Sequence, residues 1–223
     1  DVSQITNMDS VFCFSNFNGN INNWDVSNVT NMLDMFFFAT NFNQDISKWD
    51  VSNVTNMSFM FYRAKQFNQP LNNWNVSKVI DMKCMFSFSK KFNQDLSSWN
   101  TSNVTSMSYM FNETDCFNQS LNFWDISSVI NMGSMFSHAK SFNQIISNWD
   151  LSNIRYCDHM FDNAESFINK YNNDKQLSYH TDDIKKWFNN NRDIMNEIDI
   201  KENHGKEIDD FFNIISNTKK IIF

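Results

Sequence analysis

The side chains that could carry out chemistry are scattered through this 223-residue chain. Histidines stand singly, and none has a second histidine at the spacing of a metal-binding pair: His138, His159, His180 and His204. Serine is abundant, but the Gly-x-Ser-x-Gly motif is absent, and phosphate-binding loops need glycine, of which the chain has three. We therefore predict no catalytic residue, no cofactor and no metal site, and we expect the protein not to be an enzyme.

The four cysteines also form no recognisable motif: Cys13, Cys84, Cys116 and Cys157. A zinc site would need closely spaced Cys and His pairs, which the chain lacks. A disulfide needs Cα atoms within about 7 Å. Only Cys84 and Cys116 lie in adjacent copies of the repeat described below, and they occupy different positions in it. We expect free, mostly buried thiols, as in a reducing compartment or in a surface protein that needs no cross-links.

Tryptophan recurs every 25 residues, at Trp24, Trp49, Trp74, Trp99, Trp124 and Trp149. A fixed period of this length is the signature of a repeat protein. Around each Trp the same phrase returns, as in W-D-V-S-N-V-T-N-M-S-F-M-F at 49–61. Seven copies cover residues 1–169, the first without its Trp. The elements of one copy must therefore determine the surfaces of residues 1–169.

Each copy offers about nine apolar positions, among them two for Met, two for Phe and one for Trp. One copy cannot bury them alone, but stacked copies can, because each position packs on its equivalent in the next coil. We predict that these positions form a continuous core. Two alternatives remain open: a Met-rich cofactor or binding groove, and a row of Trp side chains on which sugar rings stack.

Local patterns predict the elements of a copy. The apolar residues of Met57–Ala64 have the i, i+3, i+4, i+7 spacing of a short helix, and Phe67–Leu71 is typical of a short strand. Because glycine is rare, asparagine is expected to supply the left-handed turn conformations. The Asn and Ser positions are expected to form hydrogen-bonded ladders; a ligand-binding polar stripe is the alternative. The sequence thus predicts an α+β repeat solenoid of seven coils, each with one short helix and one short strand.

From residue 170 the composition changes, and two helical patterns follow. Thr181 is a plausible N-cap for the first, whose apolar residues are Ile184, Trp187, Phe188, Met195 and Ile198. The second follows Gly205 and uses Ile208, Phe211, Phe212 and Ile215. We predict that 170–223 is a helical cap over the last coil, which solenoids need for solubility. The alternative is an arm that binds a partner subunit. At the other end Asp1 begins in mid-repeat, from which we expect an N-terminally truncated chain.

Charge argues against a nucleic-acid partner, and hydropathy argues against a membrane span. The net charge is −7, whereas a nucleic-acid footprint needs a basic face. Lys90 and Lys91 are the nearest approach to a cationic cluster, and we expect both to be solvated. No run of 18 or more apolar residues exists, so no membrane span is expected in these residues.

The repeated phrase W-D-[VI]-S-x-V-x-x-M-x-x-M-F, with F-N-Q-x-[IL] after it, resembles the repeat of BspA-like leucine-rich-repeat surface proteins. Such repeats occur in mycoplasma surface lipoproteins and large DNA viruses, among others. The resemblance implies a leucine-rich-repeat-like solenoid, display on a cell or particle surface and, in some members, adhesion to host proteins. It brings no catalytic residues. The last copy departs from the phrase, since Ile168-Asn169 replaces N-Q, which indicates that the array ends there.

We therefore expect a non-enzymatic repeat protein, on the cell surface or extracellular, that binds a protein or glycan partner. The alternative is a structural subunit of a viral particle or other large assembly, located in the virion or the host cytoplasm. Phe123 is the one aromatic residue in the variable polar positions before each Trp, and it is the predicted partner contact. Glycosylation sequons recur with the repeat, among them those at Asn28, Asn53, Asn103, Asn112 and Asn118, and are interpreted as by-products of the turn sequence. The alternative is that some carry glycans if the chain passes through a eukaryotic secretory route.

Overall fold

The computed structural model describes residues 1–172 and 177–219, with side chains up to Lys206. Over the first 164 residues the chain runs as a series of turns that pass over one another. Parallel bridges join one residue of each pass to its equivalent in the next. We call the passes coils 1 to 7, after their bridged residues in order: Asn7, Asn31, Asn56, Asp81, Ser106, Asn131 and Tyr156.

Each bridge is built from backbone hydrogen bonds that point in opposite directions. In coil 3 the N–H of Thr55 donates back to the carbonyl of Thr30 at 2.8 Å, and the N–H of Met57 donates forward to that of Asp81 at 3.0 Å. At the bridge, the polar groups of the backbone are thereby paired between coils.

The helix predicted at Met57–Ala64 is wrong, and no helix or strand occurs in residues 1–164. Alternate N–H groups donate to the next coil, as those of Phe59 and Arg63 do to Lys83 and Ser87 at 2.8 and 2.9 Å. The N–H groups between them close tight turns three residues back. The predicted apolar face is nevertheless buried, because two successive four-residue turns bring the same positions inward as a helix would.

Asparagine does not supply the left-handed conformations, contrary to the prediction. Two residues per coil, four apart, have φ between 53° and 60°, and in the described chain none of them is glycine. Only Asn163 among them is an asparagine. In coil 3 the two residues are Phe59 and Arg63, whose N–H groups make the forward bonds to coil 4. The same backbone shape recurs with Ser, Asp, Phe, Arg, Cys, Tyr, Glu, His and Asn at these positions, so the repeat and not the side chain sets it.

The short strand predicted at Phe67–Leu71 is also wrong, although both end residues are buried. Here the Asn68 N–H donates to the Oδ1 of Asn43 at 2.9 Å, not to a carbonyl. The Phe42 and Phe67 rings stack at 5.8 Å, and the Asn43 side chain supplies the acceptor that joins the two coils here. The predicted asparagine ladder is confirmed at this position, and it repeats at Asn93, Asn118 and Asn143.

Phenylalanine forms two parallel stacks through the core. In one stack Phe61 lies 5.5 Å from Phe36 and 5.6 Å from Phe86, with ring planes within 4°. The second stack packs beside the first, as Phe67 does at 4.1 Å from Phe61. The two Met positions are buried in the same core. This placement confirms that the apolar columns are core and removes the Met-rich groove.

Two helices follow the turns: α1, Glu165–Tyr171, and α2, Thr181–Lys219. Helix α1 crosses the boundary that the sequence placed after residue 169. Helix α2 runs through Gly205 without the break expected there, since a single glycine costs only about 1 kcal/mol in a helix. Thr181 is the first helical residue and not a cap, because its hydroxyl accepts the Cys157 N–H at 3.0 Å. The side chains of the second apolar pattern, Ile208 to Ile215, lie outside the described residues.

The first half of α2 covers the end of coil 7. Ile184, Trp187 and Phe188 are buried, and the Trp187 ring lies 6.2 Å from that of Phe167, the last member of its stack. The segment before α2 takes the place of a further coil, because the Tyr179 carbonyl accepts the His159 N–H at 2.7 Å. Within the described part of the chain, no helix is both long and apolar enough to cross a bilayer.

Candidate interaction face

One surface of coils 1 to 5 carries exposed or half-buried aromatic side chains. They stand at and beside the left-handed turn positions, outside the two core stacks. We call this surface the aromatic face, and it consists of Phe14, Phe37, Phe38, Phe59, Tyr62, Phe88 and Tyr109 with the cations Arg63 and Lys83.

Within the aromatic face the rings contact one another along the solenoid. Phe14 lies 4.9 Å from Phe38, and Phe37 stacks on Tyr62 at 4.9 Å with planes within 12°. Tyr62 then meets Phe88 edge-on at 5.5 Å. The rings thus form one continuous apolar surface across four coils. Contiguous exposed apolar surface on a soluble protein marks interaction sites.

Two cations are embedded among these rings. The Arg63 guanidinium lies between the rings of Phe38 and Phe88, 4.8 and 4.6 Å from their centroids, and the Lys83 ammonium is 5.6 Å from that of Phe59. Neither cation has an acidic partner within 4 Å among the described residues. Arg63 Nε is buried and makes no hydrogen bond. The face therefore combines aromatic surface with positive charge that no carboxylate neutralises.

The same positions in later coils hold polar residues. The column of Phe38 and Phe88 continues as Glu113, His138 and Asn163, all with positive φ. The column of Phe37 and Tyr62 continues as Ser87, Asn112, Ser137 and Asp162. Because the turns keep their shape with Ser, Glu or His in place, the fold does not require aromatic residues there. The aromatic residues of the early coils are surplus to folding, which points to recognition.

A left-handed backbone conformation at a residue with a side chain lowers the stability of the fold. For residues with a Cβ it costs about 1–2 kcal/mol each, and glycine would remove that cost. The same strain occurs at polar residues of later coils, such as Glu113 and His138, so it belongs to the repeat and not to the face alone. The contacts between neighbouring rings, such as that of Phe37 with Tyr62, restrain the rings and leave them less conformational freedom to lose on binding.

Phe123, the residue predicted to contact a partner, is 81% exposed. It makes no aromatic contact with the described rings and lies in the loop before Trp124, not on the aromatic face. Periodicity does not separate the aromatic face from the core, because the Phe residues of the face stand among the core Phe residues. A usable signal was present: core columns keep their residue type through the copies, whereas these columns change from aromatic to polar.

A family match supports the repeat interpretation. The model described as "Mycoplasma protein of unknown function, DUF285" matches residues 1–99 and 85–202. The chain belongs to this family. A search of curated proteins found no similar sequence.

Residues with reactive side chains do not converge in this member of the family. No group of three or more His, Cys, Asp and Glu side chains that could hold a metal ion occurs among the described residues. All four cysteines are free; Cys84 and Cys157 are buried, but Cys116 is exposed, so the expectation of mostly buried thiols holds only in part. Burial raises the pKa of the Cys84 thiol to about 12 and that of Cys157 to about 11, which removes their nucleophilicity at neutral pH.

Five of the six Trp side chains in the column are buried, with Trp49 and Trp124 only 3% and 4% exposed, and Trp24 in the first copy is half-buried. The indole N–H groups of these five donate to a carbonyl of the preceding coil, as that of Trp49 does to Ile21 at 3.1 Å. The rings cannot stack a sugar from solvent, so the alternative of a sugar-binding Trp row is wrong.

Other polar groups interpreted from the sequence are engaged within the fold. The side-chain amides of the sequon residues Asn28, Asn53 and Asn103 donate to serine carbonyls of the preceding coil at 2.7–2.8 Å. Glycosylation would attach a sugar to the same nitrogen atoms that make these bonds. Lys90 is not simply solvated as expected, because it pairs with Glu113 at 2.7 Å and Asp115 at 3.2 Å.

Proposed function

We propose that this protein is a BspA-like, leucine-rich-repeat-like solenoid of seven coils that binds a partner through its aromatic face. It performs no reaction; its role is adhesion or scaffolding by recognition of a protein or glycan. The observation that carries the proposal is the change of column type. Phe37, Tyr62 and Phe88 stand where later coils hold serine, asparagine, glutamate or histidine.

The physical properties of the face suit recognition. Tyrosine and phenylalanine bury large areas with few rotatable bonds, and residues of this kind with arginine supply most of the binding energy at protein interfaces. Arg63 is already held between two rings, so it loses little freedom when a partner arrives. Display at a cell surface or outside the cell is part of the proposal and rests on the resemblance of the repeat. A structural place in a particle is the competing role.

The experiment replaces three face residues by the residues that stand in the same columns of other coils. The variant is Phe37→Ser, Tyr62→Ser, Phe88→His. A random peptide display library and a glycan array are probed with the 223-residue chain and with this variant. We expect the selected ligands to bind the variant at least tenfold more weakly. Matching circular dichroism and melting temperature establish that the variant folds.

Phe123→Ala serves as the matched control, since it removes an exposed ring outside the face. Ligands that lose affinity with Phe123→Ala and keep it in the triple variant would overturn the proposal, as would a lack of any selected ligand. Assembly of the purified chain into regular particles that the triple variant still forms would instead establish the structural role.

A further inference from the structure

The aromatic face contains a cavity of about 360 Å³ between coils 3, 4 and 5. We call it the Ser87 notch. The rings of Tyr62, Phe88 and Tyr109 wall it, Ser87 and Cys84 lie beneath, and Lys83 stands at its edge.

The notch exists because one column of rings stops. In the column that crosses the face, Phe37 is followed by Tyr62 with the rings stacked at 4.9 Å, and then by Ser87. Serine leaves the next place in the stack empty. The rings of Tyr62 in coil 3 and Tyr109 in coil 5 both line the cavity.

The polar groups at the floor of the notch, Ser87 and Asn112, are already paired. Ser87 Oγ donates to Asn112 Oδ1 at 3.3 Å, and the Asn112 amide donates to the Ser137 carbonyl at 3.0 Å. A sugar ring would place hydroxyl groups here with few free partners, and each unpaired polar group costs about 1–3 kcal/mol. The buried part of an occupant must therefore be apolar and flat, as an aromatic side chain is.

The positive charge around the notch favours acidic residues next to that aromatic side chain in the partner. Lys83 is exposed and has no acidic partner among the described residues, and Arg63 lies over Phe88 with none either. Lys90 approaches the same ring at 5.9 Å but is already paired with two carboxylates. The chain as a whole has a net charge of −7, so the positive charge is confined to this region. Such a local charge attracts and orients an anionic partner.

We propose that the Ser87 notch takes one aromatic side chain from an acidic segment of a partner protein. The ring continues the stack of Phe37 and Tyr62, and the carboxylates beside it pair with Lys83 and Arg63. This inference rests on the proposed function of the aromatic face and names the chemistry of its partner.

The test fills the notch without removing the face. Ser87→Tyr places a ring in the column where Phe37 and Tyr62 already stand, so the fold accommodates it. Ser137→Tyr is the matched control, because it makes the same change in the same column two coils away. Lys83→Gln removes the cation at the edge.

The probe is a fluorescein-labelled peptide, Asp-Asp-Glu-Trp-Glu-Asp-Asp, whose binding is followed by fluorescence polarisation. We expect Ser87→Tyr to weaken binding at least tenfold, as does replacement of the peptide Trp by Ala. Ser137→Tyr should match the unaltered protein. Lys83→Gln should weaken binding severalfold and reduce its dependence on salt.

The outcomes separate this inference from the proposed function. If the unaltered chain does not bind the peptide, or if Ser87→Tyr binds it as tightly, the inference is overturned. The function of the face stands in that case if library ligands still lose affinity in the Phe37, Tyr62 and Phe88 variant. A neutral oligosaccharide could instead compete with the peptide for the protein. If Ser87→Tyr also abolishes binding of that oligosaccharide, the proposal of an acidic protein partner is overturned in favour of a glycan.

Discussion

Two residues in every coil adopt the left-handed conformation, which is energetically unfavourable for any residue with a Cβ. His138, with φ of 57°, offers a direct measurement. We expect His138→Gly to be more stable than His138→Ala by about 1 kcal/mol, because glycine has no Cβ to strain. Chemical denaturation of the two variants checks this.

Lys140 provides the matched control for that comparison, since it is exposed and its φ is not positive. Here the order should reverse, with Lys140→Ala more stable than Lys140→Gly by about 0.4–1 kcal/mol. Equal preference for alanine at both positions would show that the left-handed backbone stores no strain.

The aspartate after Trp makes stability depend on pH. Hydrogen bonds from the hydroxyl and N–H of Ser52 hold the pKa of Asp50 below its ordinary value, and those of Ser127 do the same for Asp125. A lowered folded-state pKa adds stability that is fully present above the unfolded value of about 3.9 and is lost as pH falls through the folded value. We expect the melting temperature to drop on acidification below about pH 4.

Two coils already carry asparagine at this position, Asn75 and Asn100, and asparagine does not titrate. Asp50→Asn with Asp125→Asn should therefore flatten the acid limb of the melting-temperature profile while leaving the neutral value almost unchanged. An acid limb of undiminished depth in the double variant would assign the acid sensitivity to other carboxylates.

At the scale of elements, the asparagine ladder replaces the strand that the sequence predicts. Asn93 Oδ1 accepts the N–H of Asn118 at 2.9 Å and the side-chain amide of Gln119 at 3.0 Å. Asn93→Ala leaves the Asn118 N–H without a partner, whereas the Gln119 amide keeps its bond to the Asn93 carbonyl at 3.2 Å. We expect a loss of about 1–3 kcal/mol in unfolding free energy. Asn73→Ala, at an exposed position outside the ladder, should cost far less. Equal losses would mean that the ladder adds nothing to stability.

Helix α2 completes the hydrogen bonds of the last coil as a further coil would. Thr181→Val removes the acceptor of the Cys157 N–H. We expect this amide to exchange with solvent at least tenfold faster, measured by hydrogen exchange with NMR detection. Thr181→Ser keeps the hydroxyl and should retain protection. Unchanged exchange in Thr181→Val would show that the helix covers the coil by apolar packing alone.

For the molecule as a whole, coils differ in how many neighbours they have. Coil 1 packs on one side only, and its Ile5 and Val11 are 42% and 49% exposed. In a repeat protein, stability sums over nearest-neighbour contacts. We expect the amides of Met8 and Phe12 to exchange faster than those of Met57 and Phe61. Uniform protection along the chain would indicate that it opens only as one unit.

Prediction from sequence succeeded where side-chain burial alone decides. The Met, Phe and Trp columns are buried as expected, because burial depends only on which positions face inward. Hydrogen bonding was not predictable from periodicity: Met57–Ala64 has a helical spacing, but its N–H groups bond to the next coil. The aromatic face was missed for a related reason. A Phe at position 59 or 61 looks the same in sequence, and only the backbone conformation sends the first outward.

The backbone bonds between coils also give the stack a polarity. The N–H groups of Met57, Phe59 and Phe61 all donate toward coil 4, and the carbonyls at 56, 58 and 60 receive from coil 2. Only this segment of each coil has that polarity, because the N–H of Thr55 donates the other way, to coil 2.

At coil 7 the row of forward donors meets acceptors from the chain itself, since the Cys157 N–H donates to the Thr181 hydroxyl and the His159 N–H to the Tyr179 carbonyl. The segment before α2 and the first residue of α2 therefore act as the acceptor edge of a coil that the sequence does not repeat.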